Sequence, residues 1–444
     1  MRLKVSEMTN QVFRRLTTTP QMMSVFDDAE ILQAMLDFEG ALAAAGSKCN
    51  LFEPSVARSI SRCCQISKFS ISELSETACQ HGTVVVPLVH HLTKLVSALD
   101  ERASHWVHFG ATSQDVIDTA MVVQLRKALV ILEVDVQRLV LALETLVDRF
   151  GNQIMIGRTL QQPSVPITFG QKVSGWKSAL LRNWNRIQLS ASEAFSLQFG
   201  GAAGNLSSLG SDGQRVRTAL SEILELNSPD DVWHAHRDRV VALCSSVSIF
   251  VGGLGKIALD ISLLLQAEVG EVSEKIDANR GRSSAMPHKR NPVNCLIALA
   301  GAKRAPHLLA TLLDAMPHEH ERALGGWQVE WVTIPALFEI AAGSIFAVAN
   351  MCEGLEVNPK KMKYNLDALN GLFMSEKLML ELSKKVGKAM AKEIIDAACN
   401  EASIQNTHLV EILQLDKRFL KEFSSDELDE LTDLDGYLGT SSFK

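Results

Sequence analysis

The fold is decided by the stretch VIDTAMVVQLRKALVILEVDVQRLVLALETLVDRF, which runs from Val116 to Phe150 without a glycine or a proline. As a single α-helix it would be about 50 Å long, at roughly 1.5 Å per residue. Leucine and valine recur in it at alternating steps of four and three residues, the spacing of a packing seam between bundle helices. The seam consists of Leu125, Leu129, Leu132, Val136, Leu139, Leu143 and Leu146. The stretch therefore predicts a long bundle helix.

The same stretch carries a second apolar flank. It consists of Val123, Val130, Val134 and Leu141. A helix that is apolar on more than one side needs neighbours on more than one side. A bundle around so long a helix is larger than one chain easily provides, so we expect the chain to associate with copies of itself.

Further long helical segments follow along the chain, and aromatic residues make up only 6% of it. The predicted spans are Gln171–Gln198, Arg239–Asp277, Val293–Met316 and Trp331–Met351. Glycines weaken the second of these spans, at Gly252–Gly253 and Gly270. Pro306 is expected to kink the third. Together these segments predict an all-α fold.

Shorter elements are predicted at both ends of the chain. The first hundred residues form helices in short pieces, with one candidate strand at Val84–Val86. Helices are predicted at Ser375–Val386 and Lys388–Glu401. The tail from Ser424 is acidic and ends in small polar residues, so we expect it to be frayed.

Composition limits the classes of function. The formal net charge is −7 with no basic stripe, which argues against a nucleic-acid-binding protein. The eight cysteines show no paired spacing, which favours free thiols in a reducing cytoplasm over disulfides or zinc. The N-terminus lacks the apolar core of a secretory signal, and no run of about 18 apolar residues appears. We therefore expect a cytoplasmic protein without a membrane or nucleic-acid partner.

The clearest functional signal is GRSSAMPHKRNP, Gly281–Pro292, which combines two serine hydroxyls with three cationic side chains. Prolines within and at the end of the segment exclude an ordinary helix. A glycine-hinged loop of this kind can bring a hydroxyl and fixed positive charge to an anionic substrate. The alternative is a basic, solvated surface loop.

The order of residues in this loop resembles the SSxMPxKxNP loop of the fumarase/aspartase superfamily of lyases. HFGATSQDVIDTA, His108–Ala120, resembles the first conserved block of that superfamily, in which hydroxyls and backbone amides hold a substrate carboxylate. The chemistry is reasonable, because an anion is stabilised at a helix N-terminus. Simple capping of the long helix by Ser113 or Asp115 is the alternative, and the two roles are compatible. IGRTLQQPSVPITFG, Ile156–Gly170, resembles the second block.

Within the superfamily, the chain looks most like the 3-carboxy-cis,cis-muconate cycloisomerases. The resembling segments also include GTVVVPLV (Gly82–Val89), LQFGGAAGNLSSLG (Leu197–Gly210), WHAHRDR (Trp233–Arg239), HEHERALGGWQVEW (His318–Trp331) and LNGLFMSEKLMLELSKKVG (Leu369–Gly387). The resemblance implies a three-domain fumarase/aspartase-like fold, with a central long-helix bundle that assembles into a tetrameric helical core. The implied domains are residues 1–111, 112–350 and 351–444.

The chain departs from the superfamily pattern at three positions. Leu160 stands where fumarases and adenylosuccinate lyases have a catalytic histidine, and Leu296 stands where they have its glutamate partner. A buried glutamate without its histidine partner would destabilise the fold, so replacement of both residues together is physically reasonable. We expect apolar packing in place of the pair. Several cycloisomerases carry a histidine at the position of Pro163, so no proton-donor role is assigned there.

The resemblance implies a cofactor-free cycloisomerase that acts on a small tricarboxylate in the protocatechuate branch of the β-ketoadipate pathway. The predicted catalytic residues are Ser283 as proton carrier, Ser284 as its fallback, and Lys289 and Asn291 as stabilisers of negative charge. The predicted substrate-binding residues are His108, Thr112, Ser113, Gln114, Arg158, Thr159, Gln162, Arg237 and Met286. No metal is expected, because His318 and His320 are two residues apart and so do not share a helix face.

Other interpretations stay open at this point. An adenylosuccinate-lyase-like β-elimination would need a nucleotide pocket and a His–Glu pair that the sequence does not show. A catalytically silent paralogue is the third possibility. His234 and His236 fit packing at a helix start, and Arg237 fits a structural ion pair. The glycine-rich GGAAG segment, Gly200–Gly204, fits close packing or a backbone-amide cradle for an anion.

Overall fold

The computed structural model describes residues 11–274, 281, 285–286 and 289–441. These residues are mostly helical, and the predicted all-α class is confirmed. The helices of the N-terminal part are α1 (Gln11–Thr17), α2 (Pro20–Val25), α3 (Asp28–Lys48), α4 (Pro54–Cys63), α5 (Ile71–His81), α6 (Val85–Leu99) and α7 (Glu101–Ser104). Those of the middle part are α8 (Ser113–Phe150), α9 (Phe169–Ala194), α10 (Gly213–Leu224), α11 (Asp238–Leu264), α12 (Val293–Ala315) and α13 (Gly326–Glu353). Those of the C-terminal part are α14 (Pro359–Asp367), α15 (Ser375–Val386), α16 (Lys388–Gln405), α17 (Leu409–Leu413), α18 (Lys417–Leu420) and α19 (Ser425–Thr432).

Two short antiparallel pairs are the sheet structure of the described residues. They are β1 (Ile154–Thr159) with β2 (Gln162–Thr168), and β3 (Val272–Glu274) with β4 (Leu355–Val357). The strand predicted at Val84–Val86 is wrong, because α6 begins there. Its apolar residues follow a helical period, and Val85, Leu88 and Leu92 are all buried.

The long helix α8 confirms both of its predicted apolar surfaces. All seven residues of the leucine and valine seam are buried, with exposures of 9% or less. On the other flank Val130, Val134 and Leu141 are 61%, 56% and 66% exposed. Since these three residues are four and seven positions apart, they line one face of the helix. We call them the outer stripe.

The other long helices largely follow the predicted spans, and α9, α12 and α13 begin and end within a few residues of them. Helix α11 is the exception, because it ends at Leu264 and not at Asp277. Gly270 then adopts a φ of +56°, a left-handed conformation that a helix cannot continue through. The chain goes on into β3 instead.

The described residues group into two compact units, whose boundaries fall inside the long helices. The first takes in the residues up to Gln137, with Leu180–Lys256 and Leu296–Ala347. The second takes in Arg138–Ala179, Ile257–Cys295 and the residues from Val348 onward. The division into domains at residues 111 and 350 stays a prediction.

The second unit has a C-terminal core made by α15, α16 and the helices that follow. Its fully buried members include Leu378, Leu382, Ala391, Leu409 and Phe419. The predicted fraying from Ser424 is wrong as far as residue 441, because α19 forms there with a capping box. The Ser424 hydroxyl accepts from the Glu427 amide, and the Glu427 carboxylate accepts from the Ser424 amide.

Three helices are long and apolar enough to cross a membrane, so the expectation that no such segment exists is wrong on length and composition. Of the apolar window, 67% is buried inside the protein in Asp238–Leu264 and 78% in Gly326–Glu353. The hydropathy of these two helices is therefore that of core helices. In Val293–Ala315 the buried share is 22%.

Candidate functional site

A buried carboxylate lies at the start of α8, in the first unit. Asp115 is fully buried, and its Oδ1 accepts from the Gly200 amide at 2.9 Å and lies 2.7 Å from Nε2 of His234. Its Oδ2 accepts from the amides of Gly201 and Thr112 at 2.9 and 3.0 Å. The bond back to the Thr112 amide is the return half of a capping box, with Asp115 as the third residue of α8.

The glycine-rich segment is shaped to receive this carboxylate. A Cβ on Gly200 would lie 2.6 Å from Cγ1 of Val232, and a Cβ on Gly201 would lie 2.9 Å from the carbonyl oxygen of Gly110. Gly201 also adopts a φ of +69°, which a side chain would strain. The segment is thus a backbone-amide cradle for an anion, and the anion is Asp115 of the same chain.

A second buried carboxylate lies one turn further along α8. Asp118 accepts two hydrogen bonds from the Arg237 guanidinium, at 2.8 and 3.0 Å. The same guanidinium donates to both carboxylate oxygens of Glu330, and the Trp327 indole donates to Asp118 at 2.9 Å. We call Asp115, Asp118, Arg237 and Glu330 the carboxylate hub.

Burial and neighbouring charges shift the pKa values of ionisable groups in and next to the hub. Burial acts to lower the pKa of Arg237, but the carboxylates of Asp118 and Glu330 outweigh burial and raise it. Burial raises the pKa of Glu330, and the charge of Arg237 offsets this only in part. Burial and the Arg237 charge together lower the pKa of the neighbouring His318.

Two predicted substrate ligands, Gln114 and Arg237, belong to this interior. Gln114 is fully buried, and its amide group donates to Asp118 at 3.1 Å and to the carbonyl oxygen of His234 at 2.8 Å. Arg237 is 3% exposed. Both side chains therefore join sequence segments that lie far apart along the chain. Their direct contact with a substrate stays a prediction.

Thr112 and Ser113 differ from their buried neighbours. Both are half-buried and stand at the N-terminus of α8, where backbone amides and the helix dipole favour an anion. Among the described residues, neither hydroxyl group forms a hydrogen bond to the protein. Among the polar groups of the segment His108–Ala120, these two hydroxyls are best placed to bind a carboxylate.

His108 stands before the same helix and is held by an acidic residue of α3. Its Nδ1 lies 2.6 Å from Oε1 of Glu39, and its backbone has a φ of +57°. Burial acts to lower the pKa of His108, but the charges of Glu39 and Asp115 and the hydrogen bond to Glu39 raise it above its ordinary value.

The second unit holds Arg158, Thr159 and Gln162 on the hairpin of β1 and β2. Arg158 donates to both carboxylate oxygens of the fully buried Glu271, at 3.0 and 2.8 Å. Thr159 and Gln162 pair across the hairpin end and are exposed. The hairpin turns at Leu160 and Gln161, which are not the residues that usually form a two-residue turn, so the sequence did not indicate it.

Leu160 and Leu296 are not packed in the chain. Leu160 is 98% exposed at the hairpin tip, where it adopts a φ of +49°. Leu296 is 63% exposed on α12. The expectation of apolar packing at these two positions is therefore wrong for the single chain, because each side chain lies on an outer face of its own element.

The loop Gly281–Pro292 is described in part, and Ser283 and Ser284 lie outside the described residues. Gly281 has a φ of +70°, and its carbonyl oxygen accepts from the Asn291 amide at 2.8 Å. A Cβ on Gly281 would clash with the carbonyl oxygen of Asn291. The side chains of Met286, Lys289 and Asn291 are exposed. A backbone hydrogen bond thus joins the two ends of the loop, and the polar side chains of Lys289 and Asn291 face solvent.

The sequence did not identify the acidic partners Glu39, Asp118 and Glu330. For Glu39 a signal exists, since it stands among buried residues of α3 at the spacing of Leu32, Leu36 and Ala43. A charged residue on an apolar helix face is expected to have a buried partner. The identity of that partner, 69 positions away, is a property of the fold.

Comparisons with known proteins cover nearly the whole chain. The lyase family matches residues 14–305, and the C-terminal family of adenylosuccinate lyase matches residues 371–442. A 3-carboxy-cis,cis-muconate cycloisomerase of Pseudomonas aeruginosa is 40% identical over 97% of this chain and 94% of its own length. This chain belongs to the lyase family.

Two solved structures are similar to this chain in fold as well as in sequence. The 3-carboxy-cis,cis-muconate lactonizing enzyme from Pseudomonas putida matches with a TM-score of 0.91 and 38% identity, over 97% of this chain and 96% of that one. The beta-carboxy-cis,cis-muconate cycloisomerase from Acinetobacter calcoaceticus has a TM-score of 0.90 and 34% identity, over 97% of each chain. The membership in the fumarase/aspartase superfamily that the motifs indicated is confirmed.

Proposed function

We propose that the protein is a cycloisomerase that interconverts 3-carboxy-cis,cis-muconate and a carboxymuconolactone, in the protocatechuate branch of the β-ketoadipate pathway. The observation that carries this proposal is the identity of 40% with the Pseudomonas aeruginosa cycloisomerase over almost the full length of both chains. The exposed Lys289 and Asn291 in their superfamily spacing support it, as do the hydroxyls of Thr112 and Ser113.

The reaction needs stabilisation of negative charge. In the lactonising direction, a carboxylate oxygen forms a C–O bond to one carbon of the conjugated double bond. The π electron pair of the double bond moves to the other carbon and into the carboxylate attached to it, which forms an aci-carboxylate-like anion. Lys289, Asn291 and the Thr112–Ser113 pair are the donors proposed to stabilise it, since donors fixed where charge develops contribute most to catalysis.

The second step is delivery of a proton to the carbon alpha to that carboxylate. Ser283 is the proposed proton carrier, with Ser284 as the fallback. In the reverse direction the same group removes the proton, which requires a serine alkoxide stabilised by loop amides and the nearby lysine. Arg158, Thr159, Gln162 and Met286 are the further proposed contacts of the substrate. No cofactor or metal takes part in this scheme.

The active form is proposed to be a homotetramer with a central bundle of long helices and sites shared between subunits. The outer stripe supports self-association, because it places three large apolar side chains in solvent along one face of α8. Sedimentation of the wild type should show a tetramer, and Val134→Glu should shift it towards smaller species. A stable folded monomer of the wild type at micromolar concentration would contradict the assembly.

The proposed location is the cytoplasm, without a membrane or nucleic-acid partner. All eight cysteines are free thiols, which suits a reducing compartment. Cell fractionation with carbonate extraction of the membranes tests this. The protein should appear in the first soluble fraction, and retention after extraction would contradict the proposal.

A β-elimination like that of adenylosuccinate lyase is the second candidate, favoured by the match of residues 371–442 to the C-terminal family of that enzyme. A screen of the purified protein against carboxymuconate, adenylosuccinate and argininosuccinate separates the candidates. Loss of the diene absorbance of carboxymuconate supports the cycloisomerase. Fumarate released from adenylosuccinate supports the second candidate, and no turnover of any substrate supports a silent paralogue.

A further inference from the structure

The pair of Glu39 and His108 joins a histidine with an unusual backbone conformation to a fully buried carboxylate. His108 holds a left-handed backbone conformation, with a φ of +57°, that non-glycine residues seldom adopt outside special sites. Its side chain is 20% exposed, whereas that of Glu39 is 0% exposed. The histidine therefore reaches solvent, and its acidic partner does not.

Glu39 is poorly explained as a stabilising residue. Its Oε1 contacts Nδ1 of His108, but its Oε2 is buried without a hydrogen-bond partner among the described residues. A buried carboxylate with one oxygen left unpaired destabilises a core, and an apolar residue at this position of α3 would pack without that cost. Such arrangements are typical of functional sites.

The contact fixes the orientation and charge of the imidazole. Because Nδ1 faces the carboxylate, Nε2 lies on the opposite side of the ring, and the N–H at Nδ1 points to Glu39. The charged groups that act on the ring are Glu39 from α3 and Asp115 from α8. Asp115 already binds His234 and the glycine amides, which leaves Glu39 as the partner of His108.

We propose that Glu39 is a positioning residue that holds His108 oriented and cationic, so that Nε2–H binds a carboxylate of the substrate. This role rests on the proposed function. It differs from that of the superfamily's His–Glu pair, whose positions are Leu160 and Leu296 here. In this chain His108 stands four residues before Thr112, in the turn that leads into α8, and would supply a positive charge that the hydroxyls of Thr112 and Ser113 lack.

The test compares Glu39→Gln, His108→Gln and the double variant, with propane-1,2,3-tricarboxylate as a non-reactive probe. In Glu39→Gln we expect probe affinity at pH 8 to fall by about tenfold or more, since a hydrogen bond to a charged group is lost. Binding of the variant should weaken at a lower pH than binding of the wild type. Proton NMR, with the His108 signal assigned by its absence in His108→Gln, should show a lower pKa for His108 in Glu39→Gln.

The double variant separates positioning from a general structural effect. If Glu39 acts through His108, then Glu39→Gln should change probe affinity by less than about twofold in the His108→Gln background. Glu30→Gln is the matched control, because Glu30 lies on the same helix in a partly exposed pair with Lys127 and should leave binding unchanged. If Glu39→Gln does not fold, Glu39→Asp keeps the carboxylate and should bind the probe with an affinity between those of the wild type and His108→Gln.

Two results would overturn the inference. One is an unchanged His108 titration and probe affinity in Glu39→Gln, or, where only Glu39→Asp folds, a loss of probe affinity with an unchanged His108 titration. The other is an equal loss of affinity in the presence and absence of His108. A wild type that does not bind the probe, but whose His108 titration still depends on Glu39, would refute the proposed carboxylate site and leave the coupling of the pair intact.

Discussion

The carboxylate hub and the loop Gly281–Pro292 are both rich in charge, and they hold it in opposite ways. In the hub, Asp115 and Asp118 are buried and every carboxylate oxygen accepts at least one hydrogen bond. In the loop, Lys289 and Asn291 are exposed, and the backbone bond to Gly281 pins its ends. A hub of this kind stabilises and positions, whereas exposed donors on a pinned loop can meet a substrate.

Among the substitutions considered, those of the loop serines should have the largest effect on turnover. Ser283→Ala should abolish turnover, because a proton carrier is lost, while binding of a non-reactive tricarboxylate stays largely intact. Ser284→Ala should be milder and act through loop geometry. Kinetics and equilibrium binding of both variants measure this. Retained activity in Ser283→Ala with loss in Ser284→Ala would move the role by one residue, and activity in both would make His108 the leading candidate.

In the carboxylate hub, by contrast, Arg237→Met should cause a large loss of stability. The guanidinium neutralises Asp118 and Glu330 in the interior, so its removal leaves uncompensated buried charge and should cost about 3–5 kcal/mol. Arg239→Met is the matched control, since Arg239 pairs with the more exposed Asp231 and should change stability by less than about 1 kcal/mol. Urea denaturation measures the free energy of unfolding of both variants. Equal losses would show that the buried ion pairs of the hub contribute no more to stability than an exposed pair.

Lys289→Met should lower turnover and leave stability nearly unchanged. Removal of one preorganised donor typically costs about 10²–10³ in rate, and the lysine side chain is exposed. Steady-state kinetics and thermal unfolding of the same preparation test both halves. Wild-type turnover in this variant would remove Lys289 from the mechanism.

The smallest expected effect concerns pH. His108 has a raised pKa in the folded state, so its pairing with Glu39 stabilises the protein fully below its unfolded pKa, about 6.5, and loses this effect as pH rises through the folded value. The difference in unfolding free energy between the wild type and His108→Gln should therefore shrink from pH 6 to pH 9. A difference that is constant with pH would show that His108 does not titrate between the two states.

The long helices could be predicted from sequence because their periodicity is local, and α8 agrees over its full predicted length. The hairpin around Leu160 could not, since its turn lacks the usual residues and is held by strand pairing. The loop and the helix-start hydroxyls were found as motifs. The hub could not be assembled from the sequence, because Asp118, Arg237 and Glu330 are brought together by packing across more than two hundred positions.

The most direct test of the central claim is turnover of 3-carboxy-cis,cis-muconate by the purified protein in D₂O, followed by NMR of the product. The account predicts a lactone with one deuterium on the carbon alpha to a carboxylate, because the proton comes from a group that exchanges with solvent. Unchanged carboxymuconate under conditions where the protein is folded would contradict the account, as would a lactone without deuterium.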